Sequence, residues 1–185
     1  MPSKTKHETA VTKKQNTDNG TESTDEPDTE KKRNAALIGT LAHRLMERLV
    51  TAGFKAERGG TVSAVLADIG ADESYSEMLS KVFNTVMSGG FKQENGFPDD
   101  IKSELAGAET CCEVPFCYMR GSELCNGVID LLYRKNGKAV IVDYKTTAEA
   151  KNLDENYAAQ LAEYKAAVKQ ILGEDAEAYI YHIDV

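Results

Sequence analysis

The chain has 185 residues, 41% hydrophobic and 28% charged, with four cysteines and a formal net charge of −8. That length suits one domain with a modest core, and the composition excludes collagen-like, coiled-coil-only and membrane-embedded architectures; no stretch approaches the roughly 18–20 apolar residues a membrane helix requires. The acidic balance argues against a broad basic surface gripping duplex DNA, because phosphate neutralisation by Lys and Arg supplies most non-specific affinity.

Carboxylates collected around a divalent cation also make a chain acidic, so the charge leaves a metal site open. The first 33 residues carry seven basic and seven acidic side chains and scarcely an apolar one, so the whole net charge of −8 belongs to the remainder. Burial cannot offset ordering entropy in such a segment. Residues 1–33 are therefore expected to be a disordered tail or linker, and residues 34–185 the folded domain. Met1 to Ala10 is polar and lacks the apolar core of a secretory signal, which predicts a cytoplasmic protein.

From Asn34 to about Ala52, Leu37, Leu41, Leu45 and Leu49 recur every fourth residue, Ile38 and Met46 widen the stripe, and Gly53 follows as a stop. This spacing predicts an amphipathic helix. Val62 to Ile69 reads as a shorter helix. Ser74 to Met87 is a clearer one, with Tyr75, Met78, Leu79, Val82, Phe83 and Val86 inward and Gly89-Gly90 closing it. Pro98 is placed to open a short helix through Leu105, since proline is tolerated in a first turn.

The pattern then becomes extended. Thr110–Met119, Leu124–Arg134 and Lys138–Lys145 are rich in Val, Ile, Tyr, Phe and Cys and read as three strands. Asn136-Gly137 is a strong two-residue hairpin signal, and Gly121-Ser122 a plausible type II′ turn. Asp154 to Leu172 predicts one long helix with Tyr157, Leu161, Tyr164, Val168 and Ile171 on one side and Gly173 as its stop. Ala176 to Ile183 predicts a final strand. The cysteines, Cys111, Cys112, Cys117 and Cys125, contain no C-x-x-C pair, and adjacent Cys111 and Cys112 would point to opposite faces of a strand. Small buried hydrophobes are the expected role.

Two-residue loops fix register. With Asn136-Gly137 as a loop, Lys135 faces Lys138, and continuing the ladder sets Asp130 opposite Asp143. With Gly121-Ser122 as the other loop, Arg120 faces Glu123 and Glu113 falls opposite Asp130. Three carboxylates would then form one row across three strands, repelling one another unless a cation sits among them. Lys145, two residues past Asp143, projects from the same face. Paired acids and a Lys around a hard divalent ion suit phosphodiester hydrolysis, in which the metal holds the phosphate and lowers the pKa of water. The plain alternative is a structural Asp143–Lys145 ion pair.

At this level the chain resembles a known family. Gly127-Val128-Ile129-Asp130-Leu131-Leu132, then Ile141-Val142-Asp143-Tyr144-Lys145-Thr146-Thr147, then Tyr157-x-x-Gln160-Leu161-x-x-Tyr164 look like the PD-(D/E)xK nuclease superfamily, closest to the RecB-like nuclease domain at the C-terminus of RecB- and AddA-type helicase–nucleases. Gly39-Thr40-Leu41-Ala42-His43 matches that family's opening helix motif, and Glu113-Val114-Pro115-Phe116 its strand before the first Asp. The resemblance implies a restriction-endonuclease-like α/β fold: a mixed central sheet flanked by helices, with a helical insertion at about residues 62 to 105.

It also implies roles. His43, Asp130, Asp143 and the Tyr144 carbonyl would hold Mg²⁺ or Mn²⁺; Lys145 would act on the nucleophilic water; Gln160 and Tyr164 would position DNA or brace Lys145; Glu113 would be a ligand or support one. The implied function is a Mg²⁺-dependent DNA nuclease, the exonuclease module of a recombination-repair helicase–nuclease, whose partners would be DNA and a helicase, fused or separate. No G-x-x-x-x-G-K-[S/T] phosphate loop occurs, so unwinding would come from elsewhere. The rival reading is a non-catalytic DNA-binding or assembly module with a nuclease-like fold.

Overall fold

The computed structural model describes residues 26–146 and 153–185. Helix α1 (Glu26–Thr51) is followed by α2 (Arg58–Ile69), a 3₁₀ turn, α3 (Ser76–Ser88) and a short α4 (Ile101–Glu104). Strands β1 (Glu109–Arg120), β2 (Glu123–Lys135) and β3 (Lys138–Lys145) come next, then α5 (Leu153–Asn156), α6 (Ala158–Leu172) and β4 (Ala176–His182). The sheet runs β1-β2-β3-β4. Its first three strands are antiparallel neighbours and β4 lies parallel to β3, so the sheet is mixed as expected.

Both hairpins hold the predicted register, with Arg120 opposite Glu123 and Lys135 opposite Lys138. Asn136 and Gly137 both have positive φ, 52° and 77°, the backbone a type I′ turn demands. The parallel β4 needs a crossover, and α5 and α6 supply it. Leu131, Tyr133, Val140, Val142, Tyr144, Tyr181 and Ile183 pack on one face with the buried stripes of α1, α2 and α3. Ile129, Leu132, Ala139, Ile141 and Ile180 pack on the other with Leu161, Tyr164, Ala167 and Val168 of α6. The sheet is thus enclosed between two helical layers. Gly127 has a packing reason: a Cβ there would stand 2.7 Å from the Phe116 ring.

Three element boundaries and the burial of the cysteines depart from expectation in ways that matter to the site or the core. Helix α1 begins at Glu26, before its apolar stripe starts, and Thr29 to Arg33 are exposed helical residues; the tail expected over residues 1–33 otherwise lies outside the described residues. Asp100, whose carboxylate accepts from Ser103 N–H at 3.0 Å, caps α4 in place of the helix opening expected at Pro98. The long helix is split at Tyr157, so α6 begins at Ala158. Of the cysteines only Cys125 is buried; Cys111 and Cys117 are exposed because they lie on the outermost strand, where neither helical layer covers them.

At the opposite edge, side chains stand in for a missing strand. Gln93 Nε2 donates to the His182 carbonyl at 3.0 Å while Gln93 Oε1 accepts the His182 N–H at 2.9 Å. Asn95 Nδ2 donates to the Ile180 carbonyl at 2.7 Å. Strand β4 therefore has partners on both sides.

Candidate active site

Apolar alternation holds β1, β2 and β3 together until one rung, where it fails. The β1–β2 ladder pairs Cys112 with Leu131 and Val114 with Ile129, but the Glu113–Asp130 rung between them is unpaired, and Glu113 has φ 50°. Register is the same on either side, yet facing is reversed. Cys112 and Leu131 pack toward α1–α3, whereas Val114 and Ile129, two residues on in each strand, pack toward α6. Both strands turn over together at the two acids.

The β2–β3 ladder stops at Leu131–Val142, one rung before Asp130 and Asp143 would meet. Asp130 then does what a strand carbonyl would: its Oδ2 accepts the Tyr144 N–H at 2.7 Å. Strand β3 stays held on its other side, where Tyr144 and Lys145 pair with Tyr181 and His182 and Ile183 N–H donates to the Lys145 carbonyl at 2.8 Å. The parting of two strands beside an anchored third leaves Asp130 and Asp143 outside the β2–β3 ladder, with Asp130 turned onto the Tyr144 backbone.

His43 joins them from α1. Its position between the buried Ala42 and Met46 turns the imidazole toward the sheet, Nδ1 3.5 Å from Asp130 Oδ2 and edge-on to the Tyr144 ring. Burial lowers the His43 pKa, but Asp130, Asp143 and the Tyr144 backbone outweigh it and the net shift is upward. A proton on His43 is thus stabilised where acids gather, the local signature of a place for positive charge.

Asp143 is almost completely buried, on the α6 side of β3. Its Oδ1 accepts from Tyr164 OH at 3.1 Å and Gln160 Nε2 at 3.2 Å, and Gln160 Nε2 also reaches Tyr164 OH at 2.7 Å. The two α6 residues are one helical turn apart and therefore share a face. Oδ2 lies 2.5 Å from the Lys145 ammonium but has no partner in hydrogen-bonding geometry among the described residues. Burial and the Asp130 charge raise the Asp143 pKa, against the lowering pull of Lys145 and Tyr164. A buried charge of this kind is costly unless a cation offsets it, and here the Lys145 ammonium does so.

Glu113 is exposed, and burial of part of its carboxylate together with the Asp130 and Glu47 charges raises its pKa. It borders a cleft of about 490 Å³ lined by Thr40, His43, Arg44, Glu47, Asp68 and Ile69. The expected single row of three carboxylates is therefore bent: Asp130 inserts between strands toward α1, Asp143 faces α6, and Glu113 stands at the solvent edge. Among the described residues no group of three His, Cys, Asp or Glu side chains is close enough to hold a metal ion as it stands.

The profile of the PD-(D/E)XK nuclease superfamily matches residues 17–184. The chain belongs to this superfamily. An ATP-dependent helicase/nuclease protein of Staphylococcus carnosus (strain TM300) is 28% identical over 181 residues, a match covering 82% of this chain but only 14% of that protein. Among solved structures, protein VC1899 from Vibrio cholerae aligns with 80% of this chain and 42% of its own at 14% identity and a TM-score of 0.31. In this PD-(D/E)XK domain the structure gathers His43, Asp130 and the Tyr144 backbone in one contact group and Asp143, Lys145, Gln160 and Tyr164 in an adjoining one, and leaves Glu113 at the margin. Sequence reasoning gave no role to Tyr157, whose ring lies 4.7 Å from Lys145 Nζ. Its signal was present, a tyrosine three residues before Gln160, but in a helical stripe it reads as core.

Proposed function

We propose that residues 34–185 form a divalent-metal-dependent DNA nuclease, the exonuclease module of a recombination-repair helicase–nuclease. The observation that carries this reading is the buried Oδ2 of Asp143, which has the Lys145 ammonium at 2.5 Å but no hydrogen bond of good geometry among the described residues, with the charges of Asp130 and His43 acting on the same group. Two carboxylates, a backbone carbonyl and an imidazole are a donor set suited to Mg²⁺ or Mn²⁺. His43, Asp130, Asp143 and the Tyr144 carbonyl would hold the ion, which when bound polarises a phosphodiester and lowers the pKa of water.

The chain's own residues do the rest. Gln160 and Tyr164 fix Oδ1 of Asp143 and so leave Oδ2 to Lys145 or to the ion. Lys145, released from Asp143, presents an ammonium to the attacking water or to charge developing on the phosphate. Glu113, at the cleft edge, supports the site through solvent. The acidic domain offers little generic affinity for DNA, so a partner delivers the strand; the matched relative is named as a helicase as well as a nuclease, and this chain spans 14% of it. Among the described residues no helix is long and apolar enough to cross a membrane, and a cytoplasmic setting accords with that function.

Asp130→Ala and Asp143→Ala, assayed on single- and double-stranded DNA with Mg²⁺, should each abolish cleavage in a folded protein. Wild-type cleavage by either variant would remove the site. Calorimetric titration with Mg²⁺ separates the non-catalytic alternative, which requires no binding that depends on Asp130 and Asp143.

A further inference from the structure

Lys145 is held at two points. Its ammonium is 2.5 Å from Asp143 Oδ2 and 4.7 Å from the centroid of the Tyr157 ring, and its side chain is 18% exposed. The first hold is conditional. An ion that draws on the Asp143 carboxylate weakens the ion pair at the moment Lys145 is needed.

The second hold rests on a helix start that is locally unfavourable. Tyr157 is the N-cap of α6, with φ −106° and ψ 14° and no side-chain hydrogen bond to the open N–H groups behind it. Ser, Thr, Asp or Asn would serve that position, because each carries a short acceptor that tyrosine lacks. The break between α5 and α6 falls at Tyr157, and the ring at the break is the one that meets Lys145. Local rules broken without a local gain cluster at functional sites. The ring face attracts a cation yet is neutral, so it neither competes for a divalent ion nor repels phosphate, and it leaves ammonium N–H groups free for water or a phosphate oxygen.

We propose that Tyr157 is a positioning residue: its ring face keeps the Lys145 ammonium over the site once the Asp143 carboxylate is engaged. This inference rests on the nuclease reading. The helix interruption exists to set that ring, and the ammonium keeps a fixed direction in both states of Asp143.

The test uses the whole chain with Tyr157→Phe, which keeps the face, and Tyr157→Leu and Tyr157→Met, which keep apolar bulk without it. In protein carrying ¹³C-lysine, with the Lys145 signal assigned by its loss in Lys145→Ala, the ε-methylene resonance should be ring-current shifted upfield in wild type and Tyr157→Phe and return to the ordinary lysine position in Tyr157→Leu and Tyr157→Met. Single-turnover cleavage at saturating Mg²⁺ should fall roughly 5- to 30-fold in the Leu and Met variants, at unchanged half-saturating Mg²⁺ and DNA, and Tyr157→Phe should restore it. An unshifted wild-type resonance overturns the proposal. So does wild-type cleavage by Tyr157→Leu or Tyr157→Met while Lys145→Ala and Asp130→Ala are inactive. Undiminished cleavage in Asp130→Ala overturns instead the nuclease reading, and the resonance still decides whether the ring holds Lys145.

Discussion

Lys145→Ala should destabilise the metal-free protein and do so far less when Mg²⁺ saturates it. Lys145 pairs with a carboxylate whose side chain is only 2% exposed. Removing one member of a buried pair costs about 3–5 kcal/mol, because the other charge stays behind uncompensated. The 18% exposure of the Lys145 side chain admits some solvent, which favours the lower end, about 3 kcal/mol. For a domain of this size each kcal/mol moves Tm by about 2–4 °C, so the variant should melt about 6–12 °C below wild type in EDTA. Asp143 has a raised pKa and can escape by taking a proton, so the comparison belongs at pH 8 rather than in acid. Saturating Mg²⁺ stabilises both proteins, so the gap narrows by the ratio of their affinities: a variant with no ammonium to displace, binding the ion about a hundredfold more tightly, regains about 2.7 kcal/mol. The gap in Tm should therefore close by most of its width, while single-turnover cleavage remains about a hundred- to a thousand-fold down. Calorimetric melting with and without Mg²⁺, beside single-turnover rates, measures both. An undiminished Tm gap at saturating Mg²⁺ would show that ion and ammonium do not contend for Asp143, and near-normal saturated cleavage would take Lys145 out of the chemistry.

The pKa of His43 is raised on folding, so protonated His43 contributes stability that is complete below about pH 6.5 and is lost as pH rises through the folded value. In EDTA the wild-type Tm should fall between pH 6 and pH 8.5 more steeply than that of His43→Gln; parallel curves would refute this. Gly90→Ala should prevent folding or cost several kcal/mol, since a Cβ there would stand 1.7 Å from the Asp99 carbonyl at φ 82°; a wild-type melt would contradict it. From its polar, charge-balanced composition the tail expected over residues 1–33 should be trimmed by brief proteolysis, and a protected N-terminus would move the domain boundary.

Strands, turns and register were legible because two-residue loops and alternation leave little freedom: Asn136-Gly137 and Gly121-Ser122 set every rung up to the acids. What alternation cannot show is where it fails. Glu113 and Asp130 sit at the rung where both strands reverse facing, and no pattern of polar and apolar residues separates a reversed rung from a polar face. The bent arrangement of the three acids followed from that. Gln160 was readable as an amide on an apolar face that must find a partner, and it found Asp143 and Tyr164. The split at Tyr157 was not, because Asn156 is a weak stop signal and the apolar stripe of Tyr157, Leu161 and Tyr164 runs on past it. Cys111 and Cys117 misled because residue type speaks of burial only where a second layer covers the strand.

The amides of Gln93 and Asn95 that complete β4 have a bearing on what the sheet offers to other chains. An open strand invites any extended peptide, including a neighbouring domain's unfinished strand during synthesis, to add itself to the sheet. Here the invitation is withdrawn by a short loop whose amides lie within a few residues of one another in sequence and can take their places as soon as β4 arrives. The domain can therefore close this edge of its sheet with its own residues. On the far side, Pro115 in β1 offers no N–H to an incoming strand. Of the sheet's two borders, the one at β4 is closed by the domain's own side chains.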